Sequence, residues 1–196
     1  NNEAFGTGGA LTADRGTLAV VNSTFEGNRS LVNGGSLYSS AFETHISNSR
    51  FQYNESTGGN GGAIALQSVE TLIHKLFAGD NWARTGGGIY IEDADSVAAT
   101  QLFLQNSIVQ ENESLFGGGA LFSDEGVNLF LHNNNFIANS TLTSETGSQL
   151  QINSAESDIR SNIIAWGENG AALAVGIDAE SGLVFRHNDL YENDDD

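Results

Sequence analysis

The sequence predicts an all-β protein, a right-handed parallel β-helix of about seven coils. Two short motifs recur in phase along the 196 residues, and the segments between them alternate between apolar and polar side chains. Such alternation, bounded by Gly, Asn, Asp and Ser, is typical of short half-buried strands. The chain has 24 glycines and no proline, and it lacks the 3.6-residue periodicity that a helical repeat would need. The pattern therefore favours a β-solenoid.

The first motif is Asn-Ser-Thr-Phe-Glu-Gly-Asn at 22–28. Related copies follow at 48–54, 106–112, 133–139 and 187–193, and two degraded copies centre on Phe77 and Ile164. The apolar anchor of the motif stands at 25, 51, 77, 109, 136, 164 and 190. The repeat is therefore about 26 to 28 residues long, and one longer interval indicates an insertion of roughly six residues in coil three or four.

The second motif, Gly-Gly-Ala-Leu at 8–11, returns in altered form in every later coil. Its last residues define one expected column of stacked side chains: Leu11, Leu37, Ile64, Ile89, Leu121, Leu150 and Leu173. The strand that follows defines another: Val20, Ile46, Leu72, Leu104, Leu131, Ile159 and Phe185. Since equivalent residues of successive coils stack at the strand spacing, we expect both columns to face the core.

A polar column is expected at one corner of each coil. It contains Asn28, Asn54, Asn112, Asn139 and Asn193, with Asp80 and Gly167 in the remaining coils. These residue types tolerate the left-handed backbone of a tight corner, and stacked Asn amides can also hydrogen-bond to one another. Five Asn-x-Ser/Thr sequons begin at Asn22, Asn28, Asn54, Asn112 and Asn139 and are candidate glycosylation sites, although the repeat alone would also generate them.

The composition excludes some partners. Asp and Glu number 25 against 7 Lys and Arg, which gives a formal net charge of -18. Such a surface repels nucleic acid and anionic lipid, and no apolar run is long enough to insert into a membrane. We interpret residues 1–196 as a single β-helix domain. Because the chain begins at Asn1, we expect a fragment or processed rod without its leader, caps or anchor.

The motifs support a family resemblance. Gly-Gly-Ala-Ile at 61–64, together with Phe-x-x-Asn at 25–28, 51–54 and 136–139, resembles the repeats of bacterial polymorphic outer-membrane proteins. Gly-Gly-Gly-Ile-Tyr at 86–90 is similar to a motif of secreted bacterial β-helix proteins of the pectin-lyase-like superfamily. The resemblance implies an extracellular or cell-surface protein. It does not imply one activity, because related coils serve adhesins, passenger domains and polysaccharide-active enzymes.

Calcium is the one cofactor for which the sequence offers ligands. Acidic residues follow the Gly-Gly motif in most coils, and the densest group comprises Glu92, Asp93, Asp95, Asp124 and Glu125. If the coils align them on one ridge, their oxygens suit Ca²⁺, while a solvated acidic face is the alternative.

The prediction leans away from an enzyme. Basic residues share no recognisable column, and Trp82, Trp166, Tyr38, Tyr53, Tyr90 and Tyr191 do not form one ladder that could line a saccharide groove. We expect no catalytic or cofactor-binding residues. The preferred function is an extracellular structural or adhesive rod whose partners are other copies of itself, surface proteins or glycans, and uncapped coils would favour head-to-tail filaments. A carbohydrate-active lyase-like or glycosidase-like domain is the alternative.

Overall fold

The chain folds into a parallel β-solenoid, as the repeat predicts, and it has about six turns where about seven coils were expected. The computed structural model describes residues 1–94, 99–143, 147–153, 156–176 and 182–193. Within these ranges every named strand pairs in parallel with its counterpart in the adjacent coil, and no helix is long and apolar enough to cross a membrane.

Four sheets run along the solenoid, and the chain visits them in turn in each coil, except that the coil of the last three strands adds none to the first sheet among the described residues. Sheet 1 contains six two-residue strands: β1 (Glu3–Ala4), β5 (Arg29–Ser30), β9 (Glu55–Ser56), β13 (Trp82–Ala83), β17 (Glu113–Ser114) and β21 (Ser140–Thr141). Sheet 2 contains seven strands: β2 (Leu11–Asp14), β6 (Leu37–Ser40), β10 (Ile64–Leu66), β14 (Ile89–Ile91), β18 (Leu121–Ser123), β22 (Gly147–Ile152) and β25 (Ala171–Val175).

The other two sheets also hold seven strands each. Sheet 3 contains β3 (Thr17–Val21), β7 (Glu43–Ser47), β11 (Glu70–His74), β15 (Thr100–Gln105), β19 (Val127–His132), β23 (Glu156–Arg160) and β26 (Leu183–Arg186). Sheet 4 contains β4 (Thr24–Glu26), β8 (Arg50–Gln52), β12 (Phe77–Gly79), β16 (Ile108–Gln110), β20 (Asn135–Ile137), β24 (Ile163–Ala165) and β27 (Asp189–Tyr191).

The core consists of columns of apolar side chains that face inward from these sheets. The column from Leu11 to Leu173 is confirmed at all seven positions by the strand register. The column in sheet 3 is confirmed except in the third coil, where Ile73 rather than Leu72 pairs with Ile46 and Leu104. In sheet 4 the third coil likewise places Ala78, not Phe77, between Phe51 and Val109.

One additional residue explains both corrections. Five residues, 31–35, separate Ser30 from Ser36, whereas six residues, 57–62, separate Ser56 from Ala63. Every later position of the third coil is therefore displaced by one. Because side chains alternate between the two faces of a strand, a displacement of one residue turns Leu72 and Phe77 outward. The ring of Phe77 is covered by the guanidinium of Arg50, 4.1 Å from the ring centroid.

The predicted insertion lies at the bend between sheets 2 and 3 in the fourth coil. Residues 92–99 connect β14 to β15, whereas only residues 124–126 connect β18 to β19 in the next coil. The additional residues come between β14 and β15 in the chain, and the inward columns of both strands continue through this coil unbroken.

A buried asparagine ladder forms one corner of the solenoid. In each step the Oδ1 atom of one Asn accepts hydrogen bonds from the backbone N and the Nδ2 of the Asn one coil earlier, at 2.8–3.1 Å. The ladder contains Asn2, Asn28, Asn54, Asn81, Asn112 and Asn139. Asn81 takes the place predicted for Asp80, since the third coil is displaced by one residue.

The left-handed backbone conformation belongs to the residue before each ladder Asn, not to the Asn itself. Gly27, Tyr53, Asp80, Glu111 and Ala138 have φ values between 52° and 63°. The predicted stacking of Asn amides therefore explains this column. The other predicted reason, a left-handed backbone at the Asn itself, does not apply.

A second ladder, which the sequence analysis did not identify, lies at the corner between sheets 3 and 4. Ser107 donates its backbone N–H to Asn134 Oδ1, and the amides of Asn134, Asn162 and Asn188 continue the chain of hydrogen bonds at 2.8–3.1 Å. These residues immediately precede or open the sheet 4 strands. The second position of the first motif, which is Ser or Asn in most copies, carries the signal for this ladder.

Gln149 supplies the hydrogen-bond acceptor at the one coil where the described ladder has no Asn. The sixth coil has Gly167 at the ladder position, as predicted, so it offers no side-chain amide to Asn139. Instead, Gln149 Oε1 accepts from Asn139 Nδ2 at 2.5 Å and from its backbone N at 3.3 Å. Gln149 occupies the position that Ala120 holds in the preceding copy of the Gly-Gly motif. A Cβ at Gly167 would lie 2.4 Å from Ser148 Oγ and 3.0 Å from Gln149 Cγ, so a side chain at this position competes with both residues for space.

We expect a strong energetic coupling between positions 149 and 167. Gln149→Ala leaves two buried donors of Asn139 unsatisfied and should destabilise the fold by about 2–4 kcal/mol. Gly167→Asn alone should also destabilise, because the new side chain meets both Ser148 and Gln149. The double variant should be more stable than the sum of the two single effects, because the amide introduced at position 167 can then enter the ladder while the contact with Ser148 remains. Urea unfolding of both single variants and the double variant measures the coupling, and simple additivity would contradict this account. Gln101→Ala on the outer face of sheet 3 is the control.

Candidate functional site

The structure brings some of the predicted calcium ligands together and separates others. Glu92 Oε2 and Asp124 Oδ2 lie 3.2 and 3.3 Å from the hydroxyl of Tyr90. Asp93 Oδ1 instead accepts a hydrogen bond from Thr100 at 2.8 Å, and Glu125 is exposed. Asp95 lies outside the described residues. Among those described, no three His, Cys, Asp or Glu side chains converge as a metal site would require, so calcium binding stays a prediction.

Tyr90 belongs to an aromatic column on the outer face of sheet 2. Tyr38, Ala65, Tyr90 and Phe122 are consecutive in the strand register, and the rings of Tyr90 and Phe122 stack at 5.6 Å. Tyr38 and Tyr90 thus share a column, although the six Trp and Tyr residues do not form one ladder, as predicted. Burial, followed by the charges of Glu92 and Asp124, raises the pKa of Tyr90 well above its ordinary value of 10.0.

The raised pKa of Tyr90 predicts alkaline sensitivity. The neutral phenol is favoured by folding, so its contribution to stability is complete below pH 10.0 and is lost as the pH rises through the higher pKa of the folded state. Tyr90→Phe should therefore reduce the fall in unfolding free energy above about pH 10. Chemical unfolding at a series of pH values measures this slope. Tyr53→Phe, at an exposed corner, is the control, and an equal change of slope in that variant would contradict the assignment.

The five sequons occupy two different environments. Asn28, Asn54, Asn112 and Asn139 are at most 3% exposed, and the Nδ2 of each donates within the asparagine ladder. Asn22 is exposed at a corner with a φ of 49°. A glycan on a ladder Asn would remove a buried hydrogen bond, whereas Asn22 presents its amide to solvent. Glycosylation itself stays a prediction.

Among the described residues, the outer face of sheet 3 has the most regular columns of aromatic and charged side chains. Its central column contains Ala19, His45, Leu72, Phe103, Phe130, Asp158 and Val184. Phe103 and Phe130 stack almost parallel, with ring centroids 4.5 Å apart and an interplanar angle of 7°. Both rings and Leu72 remain partly exposed. We call Leu72, Phe103 and Phe130 the apolar strip.

Polar columns border the apolar strip on both sides. The column nearer sheet 2 contains Glu43, Glu70, Gln101, Asn128 and Glu156. The column nearer sheet 4 contains His74, Gln105, His132, Arg160 and Arg186. Arg160 and Arg186 thus share a column, although the sequence analysis found none for the basic residues. The acidic residues do not form the single ridge expected, since Asp14 belongs to sheet 2 and Glu43, Glu70 and Glu156 belong to sheet 3.

A charged cluster lies where the aromatic stack ends. Arg160 contacts Asp158 Oδ2 through Nη2 and donates from Nε to His132 Nε2 at 3.1 Å. His132 Nε2 lies 3.6 Å from the same Asp158 oxygen. An open cavity of about 220 Å³ adjoins this cluster and is lined by Phe130, Glu156, Ser157, Asp158, Gly182 and Val184. The arrangement places two carboxylates and an aromatic ring beside one accessible space.

A repeated Leu-Phe-Leu pattern in the sequence predicts the aromatic stack on the outer face of sheet 3. Leu102-Phe103-Leu104 and Leu129-Phe130-Leu131 were identified as strands, and both Leu pairs are indeed buried. The central Phe of each triplet must then face solvent, because side chains alternate along a strand. An exposed Phe at equivalent positions of adjacent coils predicts an outer aromatic stack.

Comparison with protein-family models, with curated proteins and with solved structures finds no match for this chain. The strand register and the buried ladders define its class, which is that of a parallel β-solenoid repeat protein.

Proposed function

We propose that this β-solenoid is an extracellular or cell-surface rod with a structural and adhesive role, and that it binds surface proteins through the outer face of sheet 3. We also propose a relationship to the secreted bacterial β-helix proteins that the sequence resembles. The two phased motifs support that relationship, and they correspond to the glycine contacts between coils and to the asparagine ladder.

The observation that carries the adhesive role is the apolar strip. Leu72, Phe103 and Phe130 follow one another along a flat sheet and remain partly exposed between two polar columns. An apolar centre with a polar rim is the usual composition of a protein-binding surface. The rings stack on each other, so their edges rather than their faces point away from the sheet. This geometry favours a protein partner over a saccharide, which stacks on exposed ring faces.

The charge of the rod favours a partner of opposite sign. The net charge of -18 opposes lateral association of two copies at low ionic strength, and it attracts a basic surface. Glu70 borders the strip beside Leu72 in the column nearer sheet 2, and Glu43 and Glu156 lie in the same column one coil beyond each end of the strip. We therefore propose a basic protein surface as the partner of this face.

Binding of protein-coated beads to cell surfaces and to purified basic extracellular proteins tests the proposal. The triple variant Leu72→Thr, Phe103→Thr, Phe130→Thr removes the strip and keeps β-branched residues in the strands. It should lose at least about tenfold in bound beads. The matched control is Ile108→Thr, Ile137→Thr, Ile163→Thr, which removes outward apolar side chains from sheet 4. Equal adhesion by both triple variants, or no adhesion by the parent protein, would overturn the proposal.

The carbohydrate-active alternative has one supporting observation. Glu156 and Asp158 project from the same strand beside the cavity, and carbohydrate chemistry commonly uses two carboxylates. Incubation with a panel of neutral and anionic polysaccharides tests it. New reducing ends or unsaturated products that vanish in Glu156→Gln would establish this alternative and replace the non-catalytic role.

A further inference from the structure

The aromatic stack on sheet 3 ends at Phe130, and its end is open to a cavity. Phe103 covers one face of the Phe130 ring. On the other side the paired residue is Asp158, a carboxylate in the position where another ring would continue the stack. Phe130 and Asp158 both line the cavity of about 220 Å³. A group that enters the cavity therefore meets an aromatic surface and a carboxylate together.

The carboxylate of Asp158 is only half satisfied. Its Oδ2 atom is bound by Arg160 and lies 3.6 Å from His132. Its Oδ1 atom is buried and has no hydrogen-bond partner among the described residues. A buried carboxylate oxygen without a donor costs free energy, so the negative charge of Asp158 is only partly compensated and favours a cation in the adjoining cavity. Glu156, two residues earlier on the same strand, adds a second negative charge to the cavity wall.

These features select the chemistry of the ligand. An aromatic ring and carboxylates together bind organic cations through cation–π and charge-assisted hydrogen bonds. A guanidinium binds best to both oxygens of one carboxylate, but Arg160 already occupies Oδ2. An ammonium group needs no bidentate partner, and an aliphatic stem can pack along Val184 and Phe130.

We infer that the cavity between Phe130 and Asp158 is a binding site for the ammonium group of a lysine side chain on the partner protein. The inference rests on the proposed adhesive function and identifies the group through which the partner engages the face. The ammonium lies beside the carboxylates of Glu156 and Asp158 and contacts the ring of Phe130. The lysine is the anchor at one end of the apolar strip.

Titration of the ¹⁵N-labelled full chain with Nα-acetyl-lysine amide, followed by NMR, tests this site. The backbone amides of Ser157, Asp158 and Gly182 should shift in a saturable manner. Nα-acetyl-norleucine amide has a similar stem without the charge and should cause no such shift. Nα-acetyl-arginine amide should bind more weakly than the lysine probe. An equal response to the norleucine probe, or no shift at these amides, would overturn the inference.

Three variants and a matched control test whether the NMR shifts caused by the lysine probe arise from binding in this cavity. Asp158→Asn and Phe130→Leu should each weaken binding of the lysine probe by about tenfold, and Glu156→Gln should weaken it less. Glu70→Gln removes the same charge from the same column two coils away from Phe130 and should leave binding unchanged within about twofold. Equal loss in Glu70→Gln would show general charge attraction and overturn the site. If the lysine probe fails while beads still adhere through the apolar strip, the proposed function survives and only this site is excluded.

Discussion

Gly62→Ala should abolish folding or lower the unfolding free energy by more than about 4 kcal/mol. Gly62 belongs to the Gly-Gly motif of the third coil, and its Cα faces the backbone of the fourth coil. A Cβ at this position would lie 2.2 Å from the carbonyl oxygen of Gly87 and 2.6 Å from that of Trp82. Both neighbours are backbone atoms of hydrogen-bonded coils, so they cannot move aside independently. The variant must separate two coils along the core.

The control for this prediction is Gly6→Ala. A Cβ at Gly6 has no neighbour within 4 Å, so this variant should change the unfolding free energy by less than about 0.5 kcal/mol. Urea unfolding followed by far-ultraviolet circular dichroism compares the two. A stable Gly62→Ala protein with parent-like unfolding would contradict the close backbone approach that defines the glycine column. The same column includes Gly9, Gly35, Gly87 and Gly119, which make equivalent contacts.

Asn112→Ala should lower the unfolding free energy by about 3–5 kcal/mol. Asn112 is fully buried, and its Oδ1 accepts from both the backbone N and the Nδ2 of Asn81. Its own Nδ2 donates to Asn139 Oδ1 and to the carbonyl of Ala78. Truncation leaves two donors of Asn81 and the carbonyl of Ala78 without this partner in the middle of the solenoid. Because the position is buried, solvent does not replace the lost amide.

Asn128→Ala is the matched control for the ladder. Asn128 lies on the outer face of sheet 3, in the next coil, where solvent replaces the lost amide. Its removal should cost less than about 0.5 kcal/mol. Urea unfolding at constant temperature compares the variants. Similar midpoints for Asn112→Ala and Asn128→Ala would mean that the ladder contributes little beyond filling space.

The sequence was sufficient to predict the solenoid because its physical requirements recur in every coil. The glycine that approaches the next backbone, the buried Leu or Ile after it and the corner Asn each leave a periodic trace. The third coil was misaligned by one residue because Phe77 matches the Phe of other copies better than Ala78 does. Strand register is decided by the backbone pairs on both sides, and these require Ala78 to face the core.

The candidate site was less predictable for a physical reason. Inward positions must satisfy the same neighbours in every coil, so they repeat and can be recognised. Outward positions meet solvent or a partner, and they are free to differ between coils. The pairing of Arg160 with Asp158 depends on side-chain direction two residues apart on one strand, and the gap-filling by Gln149 depends on the absence of a side chain at Gly167. Neither leaves a periodic signal.

Because the asparagine ladder repeats once per coil, the length of this rod can change by whole coils. Removal of residues 54–80 would join Tyr53 to Asn81 and return an Asn to the position after a left-handed corner residue. Each of the four sheets would lose one strand, and the strands beyond the junction would meet equivalent partners. Removal of a number of residues that differs from one coil would leave the corners and columns mismatched. Insertion and deletion can therefore change the reach of the molecule in steps of about 4.8 Å, one coil at a time, while its cross-section stays constant.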